Sequence, residues 1–154
     1  MLVNRGYGYV VVRDSWGLGL VSRGGDLIVL IPNQNISTKG VKLLRSLTSK
    51  SIAQIRESAL NMQPLETYEV FDGDWDNVKK KLITLAQKYD ESIFVILEVQ
   101  GDEYSPFTLD GFLEYLKEIR SIEINQQKIS DLECGYIAVE SEFIEHNENW
   151  YSKV

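Results

Sequence analysis

Ile93-Phe94-Val95-Ile96-Leu97-Glu98-Val99 is the stretch on which the fold turns. Six of its seven residues are apolar and most are β-branched or aromatic, so the run is too short for a buried helix and reads as a strand. Asp26-Leu-Ile-Val-Leu-Ile31 reads the same way. Its continuous apolar character predicts a strand buried on both faces, ended by Pro32, which has no N–H for a ladder.

Between these two strands the apolar spacing changes to that of helices. Val41, Leu44 and Leu47, with Leu43 beside them, share one helical face behind a cap at Ser37 or Thr38. A second helix starts at Ser49 or Lys50, aligns Ile52, Ile55 and Ala59, and stops at Asn61 and Pro64. Thr67 to Phe71 reads as a strand or extended segment. Asp74 or Asp76 caps a third helix with the stripe Val78, Leu82, Leu85, Ala86 and Tyr89, and Lys79, Lys80 and Lys81 are expected on its exposed flank.

Working outward, residues 7–12 predict a strand, with turn chemistry from Asp14 to Gly19 and a hairpin partner at residues 18–21. Beyond Val99, Gly101 to Pro106 reads as a loop. Thr108 caps a helix that turns Leu109, Phe112, Leu113, Leu116 and Ile119 to the core. Ser121 to Ile124 and Gly135 to Val139 read as strands, and residues 125–134 carry no clear pattern. The order predicts one α+β domain over 1–154, with a small, mostly antiparallel sheet, helices on one face and an N-terminal hairpin.

Residues 26–98 resemble, in their order of elements, the C-terminal domain of the ribosomal stalk protein L7/L12. The strand 26–31 leads into two short helices, Lys39-Gly-Val-Lys-Leu-Leu-Arg45 and Ser51-Ile-Ala-Gln-Ile-Arg56. An extended Thr67 to Phe71, the helix from Val78 to Ala86 and the strand Ile93 to Leu97 complete the unit. Leu47-Thr48-Ser49-Lys50 stands where that family has a glycine-containing turn. The resemblance implies a layer of helices on a small antiparallel sheet, with a paired-helix docking face on which Lys42, Arg45 and Lys50 would fall.

The chain has 154 residues, 44% of them apolar, and a single cysteine, Cys134. That usage fits a reducing compartment. Neither a leader pattern nor an apolar run approaching the ~20 residues of a membrane helix is present, so a cytoplasmic location without membrane contact is expected. Charge is unevenly spread. Residues 1–89 hold 12 Lys+Arg and 8 Asp+Glu, whereas residues 90–154 hold 4 Lys+Arg and 15 Asp+Glu, a net of −11. Such a field repels nucleic-acid phosphates and speeds association with basic partners.

No catalytic residue, cofactor or metal site is assigned. Cys134 and His146 make a nucleophilic pair only within hydrogen-bond reach; the plainer expectation is a packed, inert thiol and a solvated imidazole. Asp72, Asp74 and Asp76 have the spacing of a calcium loop's start, but Asn77 and Ile83 occupy its glycine and glutamate positions. Helix capping explains these aspartates better. The glycines at 17, 19, 24 and 25 precede a strand, not a helix, which is the wrong place for a phosphate.

What remains is the tail over 140–154, in which carboxylates alternate with large aromatics. Interfaces draw energy from Trp and Tyr anchors while charge steers association. Asp102, Glu103, Glu140, Glu142, Glu145, Glu148, Trp150 and Tyr151 are therefore the candidate partner contacts. The alternative is that the tail's aromatics pack back onto the domain. Taken together, these features point to a small bacterial immunity protein that occludes the active site of a basic toxin domain, such as a nuclease. A regulatory or assembly module, a homo-oligomer subunit, and an enzyme with a carboxylate-based site are the other readings.

Overall fold

The computed structural model describes residues 2–4, 9–11, 27–100, 103–146 and 150. In chain order the elements are β1 (Leu2–Asn4), β2 (Tyr9–Val11), β3 (Leu27–Pro32), α1 (Thr38–Thr48), α2 (Ile52–Asn61), β4 (Glu66–Glu69), α3 (Trp75–Gln87), β5 (Phe94–Gln100), β6 (Glu103–Pro106) and α4 (Leu109–Glu133), followed by a 3-10 turn, Glu140–Glu142. The fold is α+β.

Strand β3 lies at the centre of a four-stranded antiparallel sheet of order β4-β3-β5-β6. It pairs Leu30 with Glu66 on one side and with Ile96 on the other. Ile28, Leu30, Phe94 and Ile96 face the helices, where Leu44, Ile55, Leu82, Phe112 and Leu116 complete the main core. The alternate residues Val29, Ile31, Val95, Leu97 and Val99 form a second buried cluster on the opposite face. Burial on both faces is why β3 and β5 are unbroken apolar runs, each fully buried side chain contributing about 1.5–3 kcal/mol.

Helix starts follow local chemistry. Ser37 accepts from the Gly40 N–H at 3.1 Å, Ser51 and Gln54 form a reciprocal capping box, Asp74 accepts from Asn77, and Thr108 accepts from Gly111 at 3.0 Å. Gly40 also answers a packing need. A Cβ there would sit 2.7 Å from Ile36 Cγ1 and 3.2 Å from Ile93 Cγ2.

Several expectations are corrected. Residues 121–124 are not a strand: α4 runs through them and through 125–133. Residues 135–139 are not a strand either, since Gly135, at φ 74, ends α4. The Gly135 and Tyr136 N–H groups bond back to the Leu132 and Asp131 carbonyls in a Schellman motif. The expected loop before Pro106 contains β6, paired with β5. β2 pairs with β1, and its backbone comes within 8 Å of β6; the proposed hairpin partner at 18–21 lies outside the described residues. Leu109 is exposed. Of the three successive lysines, Lys79 is buried and Lys81 half-buried.

Candidate functional site

Helix α4 is 25 residues, about 37 Å, long. Its first half is anchored by Phe112, Leu116 and Ile119. Past that point its inward face turns polar: Arg120 is 1% exposed, and Glu123 and Asp131 are buried. Buried charges need partners, and the chain beyond the Schellman turn supplies many of them. Residues 136–146 and Trp150 return along α4 as a strap. Glu140 bonds Lys128 at 3.3 Å, Glu145 bonds Arg120 at 3.2 Å, and His146 Nε2 meets Asp131 at 2.5 Å.

Glu123 is the knot of this arrangement. Its carboxylate accepts from the indole N–H groups of Trp75 (2.9 Å) and Trp150 (3.2 Å), from Lys79 Nζ (3.3 Å), and from Arg120. Lys79 is shared with Asp76 at 2.8 Å. Burial pushes the Glu123 carboxyl up, but the Trp75 hydrogen bond, the Lys79 charge and the Arg120 hydrogen bond outweigh it and hold it below the usual carboxylate range. Trp150 packs edge-on to Trp75, centroids 6.1 Å apart. One residue thus ties α3, α4 and the strap together.

The sequence-derived contact residues divide accordingly. Glu140, Glu142 and Glu145 come together on the strap. Glu142 accepts from the Ala138 N–H at 2.7 Å and Glu145 is committed to Arg120, so both help to hold the strap. Trp150 is 6% exposed and belongs to the core cluster. Its indole is an internal anchor, and the expectation that it meets a partner is corrected by its packing. Glu103 begins β6, opposite Gln100, and is exposed. Asp102, Glu148 and Tyr151 lie outside the described residues.

Apolar side chains that point outward were not among the candidates. Tyr136 is 79% and Ile144 81% exposed on the strap, with Val139 also exposed between them in sequence. Ile122 and Ile129 are exposed on α4. Their seven-residue spacing was the available signal, masked by a strand-like alternation at 121–124.

The chemistry-bearing groups sort differently from expectation. Cys134 is exposed, not packed, and His146 is engaged with Asp131 and stacks near Phe143. Asp72 accepts from the Gly73 N–H, Asp74 caps α3, and Asp76 pairs with Lys79. Among the described residues no group of three His, Cys, Asp or Glu is placed to hold a metal ion, and no helix is long and apolar enough to cross a membrane. An open groove of about 300 Å3 beside α2, walled by Lys50, Gln54, Asn61 and Pro64, holds one carboxylate, Glu57. Comparison with protein-family models, with characterised proteins and with solved structures gives no match for this chain.

Proposed function

We propose that this chain is an acidic protein-binding module, most concretely an immunity protein that neutralises a basic toxin domain by covering its active site. The observation that carries the reading is the outward side of the strap. Tyr136, Val139 and Ile144 stand exposed there, in a segment that also bears Glu140, Glu142 and Glu145. Exposed apolar side chains set among like charges are the composition of a steered interface.

The charge of this region is poorly neutralised from within. Residues 90–154 hold 15 Asp+Glu against 4 Lys+Arg, so the region stays strongly negative although Lys128 pairs with Glu140 and Arg120 with Glu145 on the strap. A nuclease-type toxin is basic because its substrate is a polyanion, so an acidic surface competes directly for the substrate's place. The side-chain bonds of Glu140, Glu145 and His146 to α4 support the reading too. A surface fixed before binding loses little conformational freedom in the complex.

Co-expression tests this directly. A neighbouring open reading frame whose product is toxic when expressed alone should be harmless with the intact chain and toxic with a Tyr136→Ala/Ile144→Lys variant of unchanged fold. Equal protection by both would remove the strap from the interface. No protection by either would remove the immunity reading.

A further inference from the structure

A separate face of α4 has its own pattern. At 3.6 residues per turn, Glu118, Ile122, Ile129 and Glu133 are spaced four, seven and four apart and fall within about 60° of one another. That flank points away from Arg120, Gln127 and Asp131, where most of the strap's bonds to α4 are made, and Lys128, bonded to Glu140, lies between the two sides. All four side chains are exposed, the isoleucines to 48% and 40%. The face therefore has two apolar knobs about 10 Å apart along the axis, with a carboxylate one turn beyond each.

Charge decides what such a face accepts. A second copy in parallel sets Glu118 against Glu118; in antiparallel, centred between the isoleucines, it sets Glu118 against Glu133. Both place acid on acid, which disfavours self-pairing. An oppositely charged helix satisfies the pattern, since apolar residues seven apart meet Ile122 and Ile129 as knobs into a facing helix.

We propose that this flank docks a basic amphipathic helix of a partner protein, with two apolar residues seven positions apart and Lys or Arg one turn outside each. The proposal rests on the reading of the chain as an acidic protein-binding module and adds a surface distinct from the strap.

The probe is a synthetic alanine-based helical peptide carrying Leu at two positions seven apart and Lys four residues outside each. Its Glu-for-Lys counterpart is the control. Titrated at low salt into the isotopically labelled chain, the Lys peptide should shift amides clustered at 118–133. Affinity should fall at least tenfold in Ile122→Ala/Ile129→Ala and in Glu118→Gln/Glu133→Gln, and stay unchanged in Tyr136→Ala/Ile144→Ala, with circular dichroism matching throughout. Shifts centred on the strap, equal binding of the Glu peptide, or no binding would each overturn the assignment. So would adsorption to phosphatidylcholine vesicles without peptide binding, which would give the face to a lipid surface. The co-expression assay reads the broader proposal independently, because its variant leaves this flank intact.

Discussion

Trp150 donates its indole N–H to Glu123 across 3.2 Å, joining the strap to a helix residue 27 positions earlier. The same carboxylate takes the Trp75 indole from α3 at 2.9 Å. Through this pair, an otherwise exposed surface segment gains one anchor, Trp150, in the core. Truncating Trp150 to Ala should cost about 3–5 kcal/mol in denaturant unfolding, the range for a buried aromatic. Hydrogen exchange should then rise through residues 136–146 and stay low in β3 and β5. Uniform exchange in both proteins would show that Trp150 does not hold the strap.

Glu123 offers a sharper test of the buried network. Glu123→Gln removes the carboxylate that Lys79 and Arg120 share, while Asp76 and Glu145 still face them. The loss should therefore be smaller than the cost of about 3–5 kcal/mol for a buried pair that loses its sole partner. Replacing the charges but keeping an acceptor for the two indoles, as Lys79→Met, Arg120→Leu and Glu123→Gln, should recover much of that loss, because desolvation of the charges disappears with them. Chemical denaturation of both variants gives the comparison. A triple variant weaker than Glu123→Gln would mean that the charges themselves stabilise the fold.

Stability should also depend on pH in a defined direction. Glu123 titrates below its ordinary 4.5, so its contribution is fully present above that value and is lost as pH falls through the folded-state value. Asp76 and Asp90 shift the same way, through hydrogen bonds from Lys79 and Ser92 respectively. Acid unfolding followed by fluorescence should begin below about pH 4.5 and be shallower in Glu123→Gln. An identical acid limb in the two proteins would contradict the assignment.

At the alkaline end, burial and the Glu91 charge push the Tyr89 hydroxyl from 10.0 up to about 12. It donates to the Phe107 carbonyl at 2.8 Å. A raised value means that the folded state holds its proton longer. The stabilisation is therefore complete below pH 10 and is lost between 10 and about 12. Tyr89→Phe should flatten that limb of the pH–stability curve, and tyrosinate absorbance should show one fewer late-titrating tyrosine.

Gly135 ends α4 at φ 74, with open space around its Cβ position. Gly135→Ala should cost about 1–2 kcal/mol through left-handed backbone strain alone. A thermal melt with no change would mean that the turn relaxes.

Much of the sheet and its helix caps was legible. β3 and β5 announce themselves because both their faces are apolar, and Ser37, Asp74 and Thr108 stand where each cap is needed. The second half of α4 was not legible, for a physical reason. Its inward residues Arg120, Glu123 and Asp131 are charged, so apolar periodicity stops although burial continues. Their partners Trp75, Lys79, Glu145 and Trp150 are distant in sequence, and no local pattern joins them. Gly135 did mark the helix end, but an apolar stretch after it suggested a strand. The tail's acidity was visible at once. Which of its side chains face outward depends on the strap's path, which no spacing rule supplies.

The most direct test of the central claim is the association rate between this chain and a basic toxin domain captured from its native host, measured at low and high salt. An acidic, steered interface predicts fast association that slows steeply as salt rises, and a slower rate for Tyr136→Ala/Ile144→Lys at every salt. A rate indifferent to salt and to those two residues would contradict the claim that the acidic C-terminal third is the binding surface.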